Sequence, residues 1–170
     1  MKKAILVILV LLIVYVLLAN AMRSEILYPA GKDTVESFGD GIYQILSGQT
    51  AEGLRKETLY NCKYDVVIIP QVERFQITNG KVYVIGKSNG HYIYDGNDIE
   101  CTYKHYSVIE IETNRLTLCM VPENSSGLDA GLDVYSRLLD GMIQNGDAQM
   151  LGQLTDFPKE DQSFFEGFGQ

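Results

Sequence analysis

The first 22 residues constrain this chain most, because they contain an apolar run that water cannot accommodate. Met1-Lys2-Lys3 precedes fifteen residues, Ala4 to Leu18, without a charge or a strongly polar group. With Ala19 to Met22 the run reaches 19 residues, and an α-helix needs roughly 20 to span a bilayer. A helix in lipid satisfies its own backbone hydrogen bonds. We therefore expect residues 4–22 to enter a membrane as one helix.

The sequence leaves open whether this helix is retained or removed. Ala19-x-Ala21 has the small residues that signal peptidase prefers, which predicts a secreted protein cleaved after Ala21. The apolar residues reach Leu18 without a polar region or a helix breaker, and this favours an uncleaved signal anchor. Because Lys2 and Lys3 precede the helix, the N-terminus is expected in the cytoplasm. In both cases the following domain lies outside the cytoplasmic membrane, either as part of a single-pass protein or released.

The rest of the chain, residues 23–170, suits one acidic domain and is too short for two ordinary ones. Only Lys2 and Lys3 of the 14 basic residues, and none of the 22 acidic ones, lie in the first 22 positions. Residues 23–170 therefore have 12 basic and 22 acidic side chains, a net charge of −10. Such a surface repels phosphate groups, so no nucleic-acid binding is expected, whereas a basic protein partner would be attracted.

Hydrophobic patterning predicts a mainly β domain after a short spacer. Residues 23–37 contain Pro29 and Gly31 and are expected to be irregular, with the β-rich domain at 38–146. Phe38-Gly39-Asp40-Gly41 predicts a turn that leads into a strand at Ile42–Leu46. Residues 51–60, with two separated leucines, predict a short helix.

The clearest pattern lies at 64–121 and predicts one contiguous antiparallel sheet. Asn79-Gly80 and Asn89-Gly90 are flanked by apolar strands and predict two tight hairpin turns, because both residue types tolerate positive φ. A further turn is predicted at Asp95-Gly96. Strands at Tyr106–Ile111 and Leu116–Val121 complete an antiparallel meander.

One amphipathic helix is predicted after the sheet, at about 127–144. Apolar residues recur there at helical spacing, and Asn145-Gly146 predicts its C-cap. The fold class is therefore α+β and mainly β: an N-terminal transmembrane or signal helix, then an antiparallel meander packed by one C-terminal amphipathic helix. Residues 147–170 are polar and acidic with isolated phenylalanines, and form either a loose tail or a strap whose aromatic residues dock.

Part of the strand pattern resembles a known repeat. Asn79-Gly-Lys-Val-Tyr-Val-Ile-Gly86, followed by Tyr106-Ser-Val-Ile-Glu-Ile-Glu-Thr-Asn114, resembles one blade of a kelch repeat. The likeness covers residues 79–116. A propeller needs four or more blades, and no second copy follows at a period near 50, so neither fold nor function is inferred from the resemblance.

Three cysteines and two histidines are the candidate reactive groups. Cys101 and Cys119 flank one predicted strand, so a disulfide could join them outside the cytoplasm; the alternative is that all three cysteines are buried thiols. A thiol enzyme or hydrolase would use Cys101 or Cys62 with His105. The strand prediction places His105 roughly 13 Å along the chain from Cys101.

No cofactor or metal site is predicted. Cys62, His91, Cys101 and His105 supply zinc-ligand types, but their spacing matches no known ligand frame. The acidic segment 95–100 has the composition of a turn rather than the ordering of an EF-hand loop. No catalytic motif is present, and no catalytic residue is assigned.

Eleven tyrosines are the most unusual feature of the composition. Several fall in predicted strands, where they either pack across strands or present an interaction face formed by Tyr83, Tyr92 and Tyr94. The leading hypothesis is a membrane-tethered binding protein without catalytic activity, for example an immunity or inhibitor protein that captures a basic partner. The alternative is the small extracytoplasmic hydrolase or thiol enzyme.

Overall fold

A computed structural model describes residue 28 and residues 30–49, 53–94, 97–123 and 128–168, with the backbone alone along 90–94, 97–100 and 128–135. The strands are β1 (Thr34–Phe38), β2 (Tyr43–Gln49), β3 (Arg55–Asn61), β4 (Val66–Ile69), β5 (Gln71–Thr78), β6 (Lys81–Tyr94), β7 (Asn97–Glu110), β8 (Arg115–Pro122) and β9 (Ala148–Leu151). The helices are α1 (Leu128–Gln144) and α2 (Lys159–Gly167), with a short 3₁₀ helix at Leu154–Asp156.

The strands form two sheets rather than the one that the sequence predicts. The first sheet has the order β1-β2-β3-β4 and the second the order β5-β6-β7-β8-β9. Neighbouring strands are antiparallel except β8 and β9, which are parallel. The described residues are therefore mainly β with two α-helices, as the pattern indicates, but β4 pairs with β3 and not with β5. Pro70 stands between β4 and β5 and has no backbone N–H to continue a ladder.

Turn chemistry predicted some hairpins correctly and misplaced one. Asn79 (φ 50°) and Gly80 (φ 75°) both have positive φ, and the Thr78–Lys81 pair closes the hairpin. The second predicted turn is wrong, because Asn89 pairs with Thr102 inside a long ladder. That ladder is described as far as the pair Tyr94–Asn97. Residues 95 and 96, where the sequence also predicts a turn, lie outside the described residues.

Two weaker predictions are corrected by strand pairing. The helix predicted at 51–60 is wrong, because β3 occupies 55–61 and pairs along its length with β2. Leu59 is fully buried there, whereas Leu54 is 64% exposed, so the two leucines do not share a helical face. Strand β1 begins at Thr34, inside the predicted spacer, because its residues find partners across the turn at 39–42.

The chain crosses from the first sheet to the second directly over Gly86 in β6. A Cβ at Gly86 would lie 2.3 Å from the carbonyl oxygen of Gln71 and 2.4 Å from Cγ2 of Ile69. The backbone around Pro70 therefore reaches β6 only because Gly86 has no side chain. One buried cluster spans both sheets across this joint; it includes Tyr43, Ile45, Leu59, Ile69, Val82, Val84, Tyr103, Ile109, Leu116 and Leu118.

Helix α1 closes this core from the side, as the amphipathic pattern predicts. Leu139 and Met142 are buried in the cluster. The helix ends as expected at Gly146 (φ 75°), whose N–H donates to Ile143 O at 3.0 Å while that of Asp147 donates to Met142 O at 2.8 Å. These two bonds form a Schellman cap.

Residues 152–168 are packed on the second sheet and do not form a loose tail. We call residues 152–168, which include the 3₁₀ helix and α2, the strap. Phe157 and Phe165 of the strap are buried, and they contact a second apolar cluster on the outer face of the sheet, formed by Tyr83, Ile85, Val108 and Cys119. The five-stranded sheet is therefore covered on both faces.

No helix among the described residues is both long enough and apolar enough to cross a bilayer. The apolar run at 4–22 lies outside those residues.

The joint at Gly86 gives the first testable prediction. Replacing Gly86 with Ala should lower the free energy of unfolding by about 3 kcal/mol, because overpacking at this contact forces the backbone of two sheets apart. The matched control is Gly48→Ala in β2, since a Cβ there meets nothing within 4 Å. Urea denaturation measures both variants. An equal, small effect at the two positions would show that the sheets do not meet at Gly86.

A second prediction concerns α1, where two adjacent leucines have opposite environments. Leu139 is fully buried and Leu138 is 55% exposed. Leu139→Ala should cost about 2–5 kcal/mol of stability, as large-to-small core changes do, whereas Leu138→Ala should stay within about 0.5 kcal/mol. Thermal or urea unfolding of the pair checks this. A larger loss at Leu138 would mean that the helix packs through its other face.

Candidate binding groove

The three cysteines are held apart by the fold. Cys101 and Cys119 are both buried, but Cys101 belongs to the cluster between the sheets and Cys119 to the cluster under the strap. The partner of Cys119 across the strands is Tyr106, five residues beyond Cys101. Neither thiol is in a disulfide in the structure, and they lie on opposite faces of the sheet, so the fold does not bring together the pair considered for a disulfide.

The fold does not bring His105 next to either of the thiols considered as its partner, Cys101 or Cys62. Cys101 and His105 are four residues apart on the same strand, as the sequence predicts. Cys62 follows β3 in the first sheet, and β3 is not a neighbour of β7. Burial and the nearby Asp65 raise the pKa of the Cys62 thiol, which is the opposite of what a thiolate nucleophile needs. Burial also raises the pKa of the Cys119 thiol, to about 11.

His105 is a buried structural residue between the sheets. Its side chain is fully buried, and Nε2 lies 2.6 Å from Oγ of Ser88. Burial lowers the pKa of the imidazole to about 4, so the ring is neutral near pH 7. Among the described residues no group of three or more His, Cys, Asp or Glu side chains could hold a metal ion.

The predicted tyrosine face is not an exposed surface at Tyr83. Its ring stacks on Phe164 of the strap, with centroids 3.9 Å apart, and its hydroxyl donates to Oδ1 of Asp161 at 2.7 Å. The side chain is only 6% exposed, so Tyr83 is packed within the fold, which is the first of the two alternatives that the sequence leaves open. The side chains of Tyr92 and Tyr94 lie outside the described residues.

A polar cluster at the end of α1 is occupied by its own contacts. Lys63 pairs with Asp147, Tyr64 donates to the same carboxylate at 2.6 Å, and Asn145 donates to the Tyr64 hydroxyl at 2.9 Å. The Lys63 ammonium and the Tyr64 hydroxyl hold the pKa of Asp147 below its usual value. The cluster ties the loop after β3 to the helix terminus, which is a structural role.

A concave surface with open volume lies where the strap ends beside β5. Among the described strands, β5 lies at the edge of its sheet and is hydrogen-bonded to β6 alone, and Arg74 and Gln76 are exposed. Arg74 donates through Nη1 to the carbonyl oxygen of Phe168. This contact divides the surface into two lobes that we call the groove.

The larger lobe of the groove has a volume of about 570 Å³, within the range of ligand-binding clefts. It is lined by Arg74, Phe75, Gln76, Ser163, Phe164, Gly167 and Phe168. The smaller lobe, about 280 Å³, is lined by Glu73, Arg74, Ile85, Lys104, Tyr106, Phe165 and Phe168. Aromatic rings and a few polar groups thus line both lobes.

The charges at the smaller lobe are paired within the protein. Glu73 lies 3.3 Å from Nζ of Lys87 and 3.4 Å from Nζ of Lys104. Lys87 also lies 3.6 Å from Glu123. The groove therefore has a mixed, partly neutralised rim around an aromatic floor.

Sequence reasoning missed the groove as a site. The signal that could have found it is the set of phenylalanines in the last residues, which an amphipathic strap would present to a sheet. What the sequence does not show is that β5 is an edge strand, because this follows from the joint at Pro70.

Searches of protein-family models, curated protein sequences and solved structures give no match for this chain.

The buried histidine gives a prediction for the pH dependence of stability. The unfolded imidazole binds a proton below its ordinary pKa of about 6.5, while the folded one does so only below about 4. Between these values the unfolded state holds more protons, so stability falls as the pH falls. From pH 7 to 4.5 the loss should be about 2 kcal/mol.

The control for this loss is His105→Gln, which has no titrating ring. The unfolding free energy of His105→Gln should fall less than that of the wild type between pH 7 and 4.5. The difference between the two losses gives the contribution of His105 alone. Asp147 does not interfere, since its depressed pKa places its effect below that interval. Parallel slopes for the two chains would contradict the burial of His105.

Proposed function

We propose that this chain is a membrane-tethered, extracytoplasmic binding protein without catalytic activity, and that it captures a basic protein partner at the groove. The observation on which this rests is the position of an aromatic groove against the open edge of β5. An immunity or inhibitor protein is one concrete form. Release from the membrane after cleavage at Ala21 is the alternative localisation.

The shape of the groove suits an extended segment of a partner. Edge strands have unpaired backbone N–H and C=O groups, and a partner strand can add to them. In β5 the register shifts between Val72 and Arg74, and such a bulge hinders pairing at that end. The regular part, Phe75–Thr78, adjoins the larger lobe, where Phe164 and Phe168 can receive side chains of the added segment.

Charge supports a basic partner. Residues 23–170 have a net charge of −10, and a field of this sign speeds encounter with a positively charged protein. The groove itself is mixed in charge, so aromatic contacts and backbone pairing would supply the affinity. The long-range attraction between opposite net charges would raise the association rate.

The reactive groups support binding rather than catalysis. Cys101, Cys119 and His105 are at most 2% exposed, and a nucleophile or general base must reach a substrate. The hydrolase or thiol-enzyme alternative would need Cys62 or Cys101 beside His105, and the fold places these groups on separate strands or four residues apart on one strand.

The test uses surface cysteines and a thiol reagent that does not cross membranes. Gln76→Cys places a thiol in the groove and Gln49→Cys places one on exposed β2, each in a Cys62→Ser background. Intact cells that naturally contain the protein are labelled, and so are the purified proteins. Both thiols should react in intact cells, because the domain is expected outside.

Occupancy of the groove should lower the ratio of Gln76→Cys to Gln49→Cys labelling severalfold in cells relative to the purified proteins, and added salt should restore part of it. Labelling only after lysis would contradict the external location. If both thiols react in intact cells but the labelling ratio is the same as in the purified proteins, the result would contradict a partner at the groove.

A further inference from the structure

The strap crosses the outer face of the five-stranded sheet from one edge to the other. It starts at Gly152, directly after β9 at one edge, and its last described residue, Phe168, accepts a hydrogen bond from Arg74 of β5 at the opposite edge. Between them Phe165 packs edge-on against Tyr106 of β7, with ring centroids 5.3 Å apart. The strap thus spans the outer face of the sheet from edge to edge.

The apolar contacts of the strap are separate from the main core. The cluster between the two sheets and α1 contains no residue of the strap among those described. The strap belongs to a smaller cluster, in which Phe157 and Phe165 cover Val108 and Cys119. Losing that cluster would leave every contact between the sheets in place, and such separable units open locally in native proteins.

A polar contact joins the start of α2 to β6. Asp161 is 3% exposed, and its Oδ1 lies 2.9 Å from Nζ of Lys81 and 2.7 Å from the Tyr83 hydroxyl. Lys81 also pairs with Glu160 at 2.7 Å. We call the contacts of Lys81 and Tyr83 with Asp161 the latch. A nearly buried carboxylate depends strongly on its charged and hydrogen-bonding partners, so the latch stabilises the packing of the strap on the sheet.

We propose that the strap is a detachable cover: residues 153–168 leave the sheet as one unit about Gly152, while both sheets and α1 stay folded. Opening uncovers an apolar face formed by Tyr83, Ile85, Val108 and Cys119, next to the groove. This goes beyond the proposed function, since it concerns motion of the fold and holds whatever partner binds.

Two native thiols report the opening directly. Cys119 lies under the strap and Cys101 lies in the core between the sheets, and both are buried. The purified chain with Cys62→Ser is treated with a thiol reagent at increasing low urea concentrations, and each site is followed by mass spectrometry. Cys119 should react faster than Cys101 and with a weaker urea dependence, because local opening exposes less surface than global unfolding.

The latch is tested by Lys81→Met with Lys87→Met as its control. Both lysines lie on β6, but Lys87 pairs with Glu73 and Glu123 and not with the strap. Lys81→Met should speed Cys119 labelling by about tenfold or more and leave Cys101 nearly unchanged, since it strands a buried carboxylate. If Lys81→Met does not fold, Tyr83→Phe removes one latch hydrogen bond and keeps the stacked ring.

Two results would overturn the proposal. Equal rates and equal urea dependence for Cys119 and Cys101 would show that the strap opens only with the whole protein. Equal acceleration of Cys119 by the Lys81 and Lys87 variants would show that the latch does not hold it.

Discussion

The close approach of the backbone to Gly86 is the constraint on which the remaining structure depends. At Pro70 the chain leaves one sheet and enters another, and it does so in contact with β6, where any side chain would collide with Gln71 and Ile69. This contact brings the inner faces of the two sheets together around a single core. It also accompanies the change of sheet between β4 and β5, and β5 lies at the edge of the second sheet.

The two faces of the second sheet consequently have different roles. The inner face belongs to the main core and buries His105 and Cys101, so the imidazole and the thiol serve packing. The outer face is covered by the strap, whose phenylalanines pack on the sheet and whose Asp161 contacts Lys81 and Tyr83. The groove is lined by residues of both β5 and the strap, so a partner bound at the groove would contact both elements.

Local signals in the sequence predicted those features that neighbouring residues determine. The turn at Asn79-Gly80, the α1 pattern and its Gly146 cap are confirmed, because each follows from positive φ or from helical periodicity within a few residues. The turn at Asn89-Gly90 and the helix at 51–60 are wrong, because distant strands pair with those residues and outweigh local preference. The split into two sheets and the groove depend on one crossing of the chain, which no local pattern shows.

The contact at Gly86 is tested most directly by nuclear Overhauser measurements on protein with labelled isoleucine methyl groups and labelled glycine. The account predicts a strong cross-peak between the γ2 methyl of Ile69 and the α protons of Gly86, since a Cβ on that glycine would lie only 2.4 Å from the methyl carbon. With both resonances assigned, the absence of that cross-peak would contradict the joint, and with it the shared core and the open edge of β5.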